Sequence, residues 1–211
     1  MIEAEDFLMQ WEAIMNFDKE ARNWDTQRRR TRAETLAQVV RENWGETPQK
    51  ALDFGCGTGL LTFELYPCAG EIAGFDPSRE MGDAFRAKIA ETGAQNVRFL
   101  TADEMAAEQY DAIFSSMVFH HIRDVDAALV RIKALLNPNG RFVWLDLDED
   151  DGTFHQNEPD FDGHNGFSRS YVRTALAAAG FTNITVEDAY AGGRTMNGVD
   201  MNYTVFVAVA R

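Results

Sequence analysis

Ala51-Leu52-Asp53-Phe54-Gly55-Cys56-Gly57-Thr58-Gly59 runs from a short apolar stretch straight into a glycine triplet, and the residues after it, through about Tyr66, read as a helix. A strand that feeds a helix through so short a turn needs backbone angles that glycine supplies at no steric cost. The alternation continues outward. Glu71 to Phe75 is a second strand, followed by a helix from Ser78 to about Glu91, and Val97 to Leu100 is a third. Tyr110 to Ser115 is a fourth, with a helix from about Val125 to Leu136. Asn137-Pro138-Asn139-Gly140 reads as a turn, and Arg141 to Leu147 as a fifth strand. Strands separated by helices require crossover connections, so the pattern predicts a doubly wound α/β domain with a mostly parallel sheet.

The flanks extend this core. Phe7, Leu8, Trp11, Ile14 and Met15 recur at helical spacing, and a second helix is expected from Thr26 to Asn43, with Leu36, Val39 and Val40 apolar. Gly45 and Pro48 stop it. After the fifth strand comes an irregular stretch over 148–166, then a helix from Ser168 to Ala179. Two β-rich runs close the chain, Phe181 to Ala189 and Tyr203 to Ala210, with no helix-length segment between them. They are expected to form an antiparallel hairpin, joined by a glycine-rich loop, on the edge of a seven-stranded sheet. The chain is therefore expected to be a single domain over 1–211. It would comprise a helical cap (1–45), a core (50–147), a substrate-side loop (148–167) and a final helix with hairpin (168–211).

Charge narrows the partners. Against 20 Lys and Arg stand 34 Asp and Glu, a net charge of -14 over 211 residues. Such a surface repels phosphate backbones and anionic lipid, so neither nucleic acid nor membrane is an expected partner. Arg28, Arg29, Arg30 and Arg32 lie close together, and the expectation is a solvated helix face balanced by Glu20, Asp25 and Glu34. The first residues are acidic and mixed, unlike a targeting signal, which suggests a cytoplasmic location. Cys56 and Cys68 have neither metal-binding spacing nor a disulfide framework.

The glycine loop has two acidic companions. Asp76 ends the second strand, where a carboxylate can accept both hydroxyls of a ribose, while Ser78 beside it caps the next helix. Asp53 precedes the glycines. A carboxylate there is poorly placed beside a pyrophosphate and well placed beside an ammonium group. The spacing Gly55-x-Gly57-x-Gly59 also differs from the G-x-G-x-x-G of dinucleotide folds. Charge and spacing both favour a cationic amino-acid cofactor over a nicotinamide dinucleotide.

Residues 52–59 resemble the first motif of class I S-adenosylmethionine-dependent methyltransferases, a Rossmann-like family. Gly74-Phe75-Asp76-Pro77-Ser78 is similar to the second motif, Ala102-Asp103-Glu104-Met105 to the third, and Tyr110 to Ser116 to the fourth. The resemblance implies S-adenosylmethionine as cofactor. Asp53, Gly55 and Gly57 would line its methionine part, with Cys56 as the small residue of the loop. Asp76 with Pro77 would hold the ribose, Asp103 with Glu104 the adenine, and Ser115 would lie near the sulfonium. Phe17-Asp18-x-x-Ala21-x-x-Trp24-Asp25 and Met117 to Ile122 resemble the small quinone-biosynthesis-like branch, which implies that Trp24 covers the site as part of a lid.

The reacting end is less specified. Methyl transfer from a sulfonium is an in-line displacement, and alignment alone can contribute roughly 7–11 kcal/mol. A base is needed only where the acceptor must lose a proton. His121, with His120 beside it, is the candidate after the fourth strand, and His164 in Gly163-His164-Asn165-Gly166 is a second, with His155 upstream. His121 and His164 are too far apart in sequence to define a ligand set, and no metal is expected. Asp146, Asp148, Glu149, Asp150 and Asp151 read as a solvated acidic loop. Phe119, Phe167 and Tyr190 are expected to wall an apolar pocket for a small-molecule acceptor, while the oligomeric state stays open. The rival readings are a cofactor-holding module without chemistry and a nicotinamide-dependent oxidoreductase.

Overall fold

A computed structural model describes residues 17–158, 161–196 and 199–211, and the helical spacing at Phe7 to Met15 lies outside the described residues. A short helix α1 (Phe17–Glu20) leads through a 3-10 turn (Ala21–Asn23) to α2 (Gln27–Asn43). The core then alternates: β1 (Lys50–Phe54), α3 (Leu60–Leu65), β2 (Glu71–Phe75), α4 (Arg79–Thr92), β3 (Val97–Phe99) and α5 (Ala102–Ala106). It continues with β4 (Tyr110–Ser116), α6 (Val125–Leu135), β5 (Leu136–Leu147), α7 (Arg169–Ala178), β6 (Thr185–Met196) and β7 (Val199–Ala210).

The seven strands lie in the order 3-2-1-4-5-7-6. β7 runs antiparallel to both β5 and β6, and the remaining neighbours are parallel. The expected doubly wound sheet with a reversed C-terminal pair is what the chain forms. Strand order reverses direction between β1 and β4, so the carboxyl ends of these two strands open a crevice, the usual ligand position in such sheets.

Period-two alternation explains why both faces are covered. In β1, Leu52 and Phe54 point into one core with Trp144 and the α6 residues Leu129 and Ile132. Ala51 points into the other, with Leu36 and Val40 of α2. Side-chain caps start the helices where a polar residue precedes each apolar stretch. Ser78 accepts from Met81 N–H, Ser168 from Tyr171 N–H and Thr26 from Arg29 N–H. Among the described residues no helix is long and apolar enough to cross a membrane.

Three local expectations are corrected. The hairpin strands are longer than the apolar runs suggested. β6 starts at Thr185, not Phe181, and the supposed glycine loop is paired strand, with Gly192 opposite Tyr203 and Gly193 opposite Asn202. Glycine has low strand propensity, but a Cβ at Gly192 would stand 2.4 Å from the Tyr190 ring, so the close aromatic pair of Tyr190 and Tyr203 accounts for it. The Asn137 to Gly140 turn is likewise absorbed into β5, as an irregularity between the Tyr110 and Ala112 pairings. The acidic run is no solvated loop. Asp146 is fully buried, Asp148 holds Arg169 through both oxygens, and Asp150 accepts from the N–H groups of Gly152 and Phe154.

Candidate functional site

Two cavities meet at the carboxyl ends of β1 and β4. The inner one is built on the glycine loop. Gly55 adopts φ +77°, and a Cβ there would strike the Val118 side chain at 2.4 Å; only glycine fits. Asp53 and Asp76 enter this cavity from the ends of β1 and β2, beside Gly57 and Met81. Asp53 is 2% exposed and accepts from the Thr62 hydroxyl at 2.6 Å. Burial pushes its carboxyl up to about 7, with Asp76 adding to the effect. Asp76 accepts from Gly57 N–H at 2.8 Å and from Ser78 N–H at 2.9 Å, and burial raises it to about 6. Two desolvated carboxylates in one backbone cradle are poised for a ligand that brings positive charge and hydroxyl donors. The Cys56 thiol, in the same loop, is pushed up by burial and then by both carboxylates, so it is no nucleophile.

The cap closes over this cradle. Asp25 accepts from Thr58 at 2.6 Å and pairs with Lys88 at 2.6 Å, while Asp18 accepts from Ser78 Oγ at 2.6 Å. Trp24 is thereby held against the glycine loop, its indole nitrogen 3.6 Å from where a Gly57 side chain would begin. The Arg29 guanidinium stacks on the Trp24 ring at 3.8 Å.

The outer cavity adjoins the inner one, and Trp24, Arg29, Arg32, Met117 and His121 stand in the walls of both. Met117 has φ +60°, an unusual left-handed angle for a residue with a Cβ, at the exit of β4. Arg28, Arg29, Arg32 and Arg194 face this second space with His120, His121 and His155, and with two carboxylates, Glu20 and Glu158. The ion pairs recorded near this face, Arg30 with Asp25 and Lys88 with Asp25, leave these four arginines out among the described residues. The arginine segment is divided: Arg30 pairs with Asp25 on the surface, while Arg29 and Arg32 turn inward to the cavity beside Glu20. Arg29 and, on β6, Arg194 are lowered from the ordinary arginine value by burial and then by neighbouring guanidinium groups.

The histidines form one group. His120 Nδ1 lies 2.5 Å from Asp146 Oδ1, and burial, which alone would raise Asp146, is outweighed by His120, leaving the carboxyl below its usual range. His121 is held well below the ordinary imidazole value by burial and then by His120, and His155 falls to about 3 for the same causes. Both are neutral at pH 7.

The remaining expected residues are placed as follows. Ser115 is buried and donates to the Phe54 carbonyl at 2.8 Å, tying β4 to β1; its neighbour Ser116 is the one in the cavity wall. Pro77 sits beside Asp76, half-buried. Asp103 and Glu104 are on the exposed first turn of α5, where Glu104 closes a capping box with Thr101. They stand outside both cavity walls. His164 donates from Nε2 to the Ile122 carbonyl at 3.0 Å and from its N–H to the His120 carbonyl at 2.7 Å, bracing the histidine segment from behind. It is not brought to either cavity. Phe119 and Phe167 pack on Trp144 in the core, and Tyr190 packs on Tyr203, so the apolar wall expected of these three is replaced by Phe154 and Met117. Arg194 and Glu158 were missed altogether; nothing local in the sequence distinguishes them from surface charge.

A glycine-loop cradle carrying two carboxylates thus adjoins a second cavity lined by arginines and histidines. The pattern of the methyltransferase domain family matches residues 26–186, and the chain belongs to that family. An uncharacterized methyltransferase of Schizosaccharomyces pombe is 30% identical over 165 residues, covering 70% of this chain and 58% of the relative. The chain thus spans under two thirds of that protein's length. A SAM-dependent methyltransferase from Aquifex aeolicus superposes with a TM-score of 0.65 at 20% identity, over 92% of this chain and 97% of that one. The DhpI–SAH complex superposes with a TM-score of 0.66 at 19% identity, over 99% and 96%.

Proposed function

We propose that this chain transfers a methyl group from S-adenosylmethionine to a small anionic acceptor. The observation that carries the reading is the pair of carboxylates, buried Asp53 and half-buried Asp76, in a glycine cradle that shares the Trp24–Met117–His121 wall with an arginine-lined cavity. The cofactor, when bound, supplies an electrophilic methyl group on a sulfonium. Asp53 suits its ammonium group, since a cation at this spot restores the ionised form that burial disfavours. Asp76 suits its ribose, with one oxygen already fixed by Gly57 and the other by Ser78. The solved SAM-dependent and SAH-complexed proteins of the same fold support this choice.

The acceptor side follows from charge. Four guanidinium groups against two carboxylates, Glu20 and Glu158, leave this space net positive in a chain of net charge -14, which suits an anionic ligand such as a carboxylate or phosphate ester. His121 stands between the two cavities as a neutral imidazole, able to receive a proton or a metal ion. Trp24 covers the junction and excludes water, which strengthens every charge interaction within. The cap and the histidine segment also support assignment to the quinone-biosynthesis-like branch.

Calorimetric titration with S-adenosylmethionine, S-adenosylhomocysteine and a nicotinamide dinucleotide tests the cofactor. Micromolar binding of the first two, with none of the third, is expected; binding of the dinucleotide alone sinks the reading. S-adenosylhomocysteine formation across a panel of carboxylate, phosphate and neutral acceptors then tests the second cavity. Turnover confined to neutral acceptors would overturn the anionic assignment.

A further inference from the structure

One ligating atom from each of His120, His121 and His155 lies within 4.8 Å of the other two. The residues are 1%, 8% and 5% exposed. We propose that these three imidazoles form a binding site for a divalent first-row transition ion, with zinc as the reference case.

Geometry comes first. Zinc–nitrogen bonds of about 2.0–2.1 Å at tetrahedral angles hold their nitrogens roughly 3.4 Å apart. Side-chain rotation closes the remaining distance, because the three imidazoles sit on two short 3-10 turns, His120 and His121 on Phe119–His121 and His155 on Thr153–His155.

His120 is already oriented as a ligand. Its Nδ1 is committed to Asp146, which leaves Nε2 for the group of three. A carboxylate behind a histidine fixes the tautomer and raises the basicity of the ligating nitrogen. Asp146 is itself fixed, accepting from Trp144 Nε1 at 3.3 Å and Leu147 N–H at 2.8 Å.

His155 supplies the second, independent observation. Its Nδ1 is buried without a hydrogen-bond partner among the described residues. Leaving a buried polar atom unsatisfied is costly, and a coordinate bond relieves it. The ring is held for the purpose by Phe161, stacked at 3.6 Å and 8°.

The donor set selects the ion. Three imidazoles without thiolate suit zinc, cobalt, nickel or iron(II), while calcium and magnesium demand oxygen ligands. Three protein ligands leave a coordination position open, as in catalytic rather than structural zinc sites. The arginines of the same cavity favour an anionic oxygen in that position. This last point rests on the acceptor reading above; the ion site does not.

The test uses untagged protein stripped with EDTA, titrated with cobalt(II) chloride while visible absorption is recorded, then back-titrated with zinc chloride. One equivalent of cobalt with an intense d–d band, displaced by zinc, is expected. His155→Ala and His120→Ala should each weaken cobalt binding at least a hundredfold, and Asp146→Asn by about 10–100-fold. Binding of S-adenosylmethionine, measured on the same samples, reports whether each variant is folded; should the variants fail to fold, the wild-type titration decides alone. Wild type that binds S-adenosylmethionine but takes up no stoichiometric cobalt overturns the site, as does a folded His155→Ala variant with unchanged cobalt affinity. Binding of inorganic phosphate that depends on His155, with no cobalt uptake, would replace the ion site by an anion site. Cobalt uptake without S-adenosylmethionine binding would spare the metal site and sink the cofactor reading.

Discussion

The inner and outer cavities share Trp24, Arg29, Arg32, Met117 and His121 and are otherwise built on different principles. The inner one has an acidic floor: Gly55 and Gly57 in left-handed conformations and two carboxylates at strand ends, all supplied within 53–76. The outer one is made of side chains and is basic, drawing Arg28 from α2, His121 from the exit of β4, His155 from the turn after β5 and Arg194 from β6. A site of backbone and strand ends is fixed once the sheet is fixed. A site of side chains from four segments depends on how each segment is braced. The inner cavity should therefore tolerate changes in the outer one, and the reverse should also hold.

The sharpest way to break this division is His121→Ala, on the shared wall. Turnover is expected to fall by about 10²–10⁴-fold, the usual range for losing a proton-transfer group. Affinity for S-adenosylmethionine should stay within about threefold, since Asp53 and Asp76 are untouched. Loss of cofactor binding in parallel would mean that the two cavities are one site.

Asp76→Ala strikes the inner cavity alone. Removing charge-assisted hydrogen bonds worth about 1.5–3 kcal/mol should weaken cofactor binding tenfold or more, as calorimetry can measure, with cobalt uptake at the histidines unchanged. Equal cofactor affinity in the folded variant would remove the ribose role.

Asp53→Asn separates charge from shape. The folded-state value is raised to about 7, so between the ordinary carboxylate range and about 7 the native chain keeps a proton that the unfolded chain has lost. The contribution of Asp53 to the stability of the cofactor-free protein therefore declines as pH rises from about 4 to 7 and is flat above. The asparagine variant lacks that decline. At pH 8 it should be more stable than wild type by on the order of 1–2 kcal/mol, with the gain gone below pH 4, as denaturant unfolding at several pH values would show. A gain that persists at pH 4 would locate the cause elsewhere.

Arg194→Met is the mildest probe. Acceptor KM should rise about fivefold, because three other guanidinium groups remain in the cavity. Cofactor affinity should not move, and a KM that also stays constant would remove Arg194 from acceptor binding.

The same contrast explains what the sequence made legible. Asp53, Gly55, Gly57 and Asp76 were readable because strand ends and glycine turns announce themselves locally, and the sheet order followed from alternation. Ser115 was misplaced by one residue, and one residue in a strand exchanges faces: its hydroxyl ties β4 to β1, and Ser116 reaches the cavity. Asp146 hid within an acidic run that composition assigns to solvent, although the strand carries it into the core beside His120. His155 joins His120 and His121 only through the turn at Thr153–His155, and no periodicity links them. His164 had the more suggestive surroundings, flanked by glycines, yet its ring is spent on a main-chain carbonyl.

Asp25 joins the cap to Thr58 and Lys88 at the rim of the glycine loop, directly after Trp24. In kinetic terms this is a queue with one gate. The expected order is cofactor first, acceptor second, then methylated product out before the spent cofactor. Product-inhibition patterns distinguish that sequence from random addition, and Asp25→Ala, which removes the latch, should shift the chain toward the random scheme while speeding cofactor exchange.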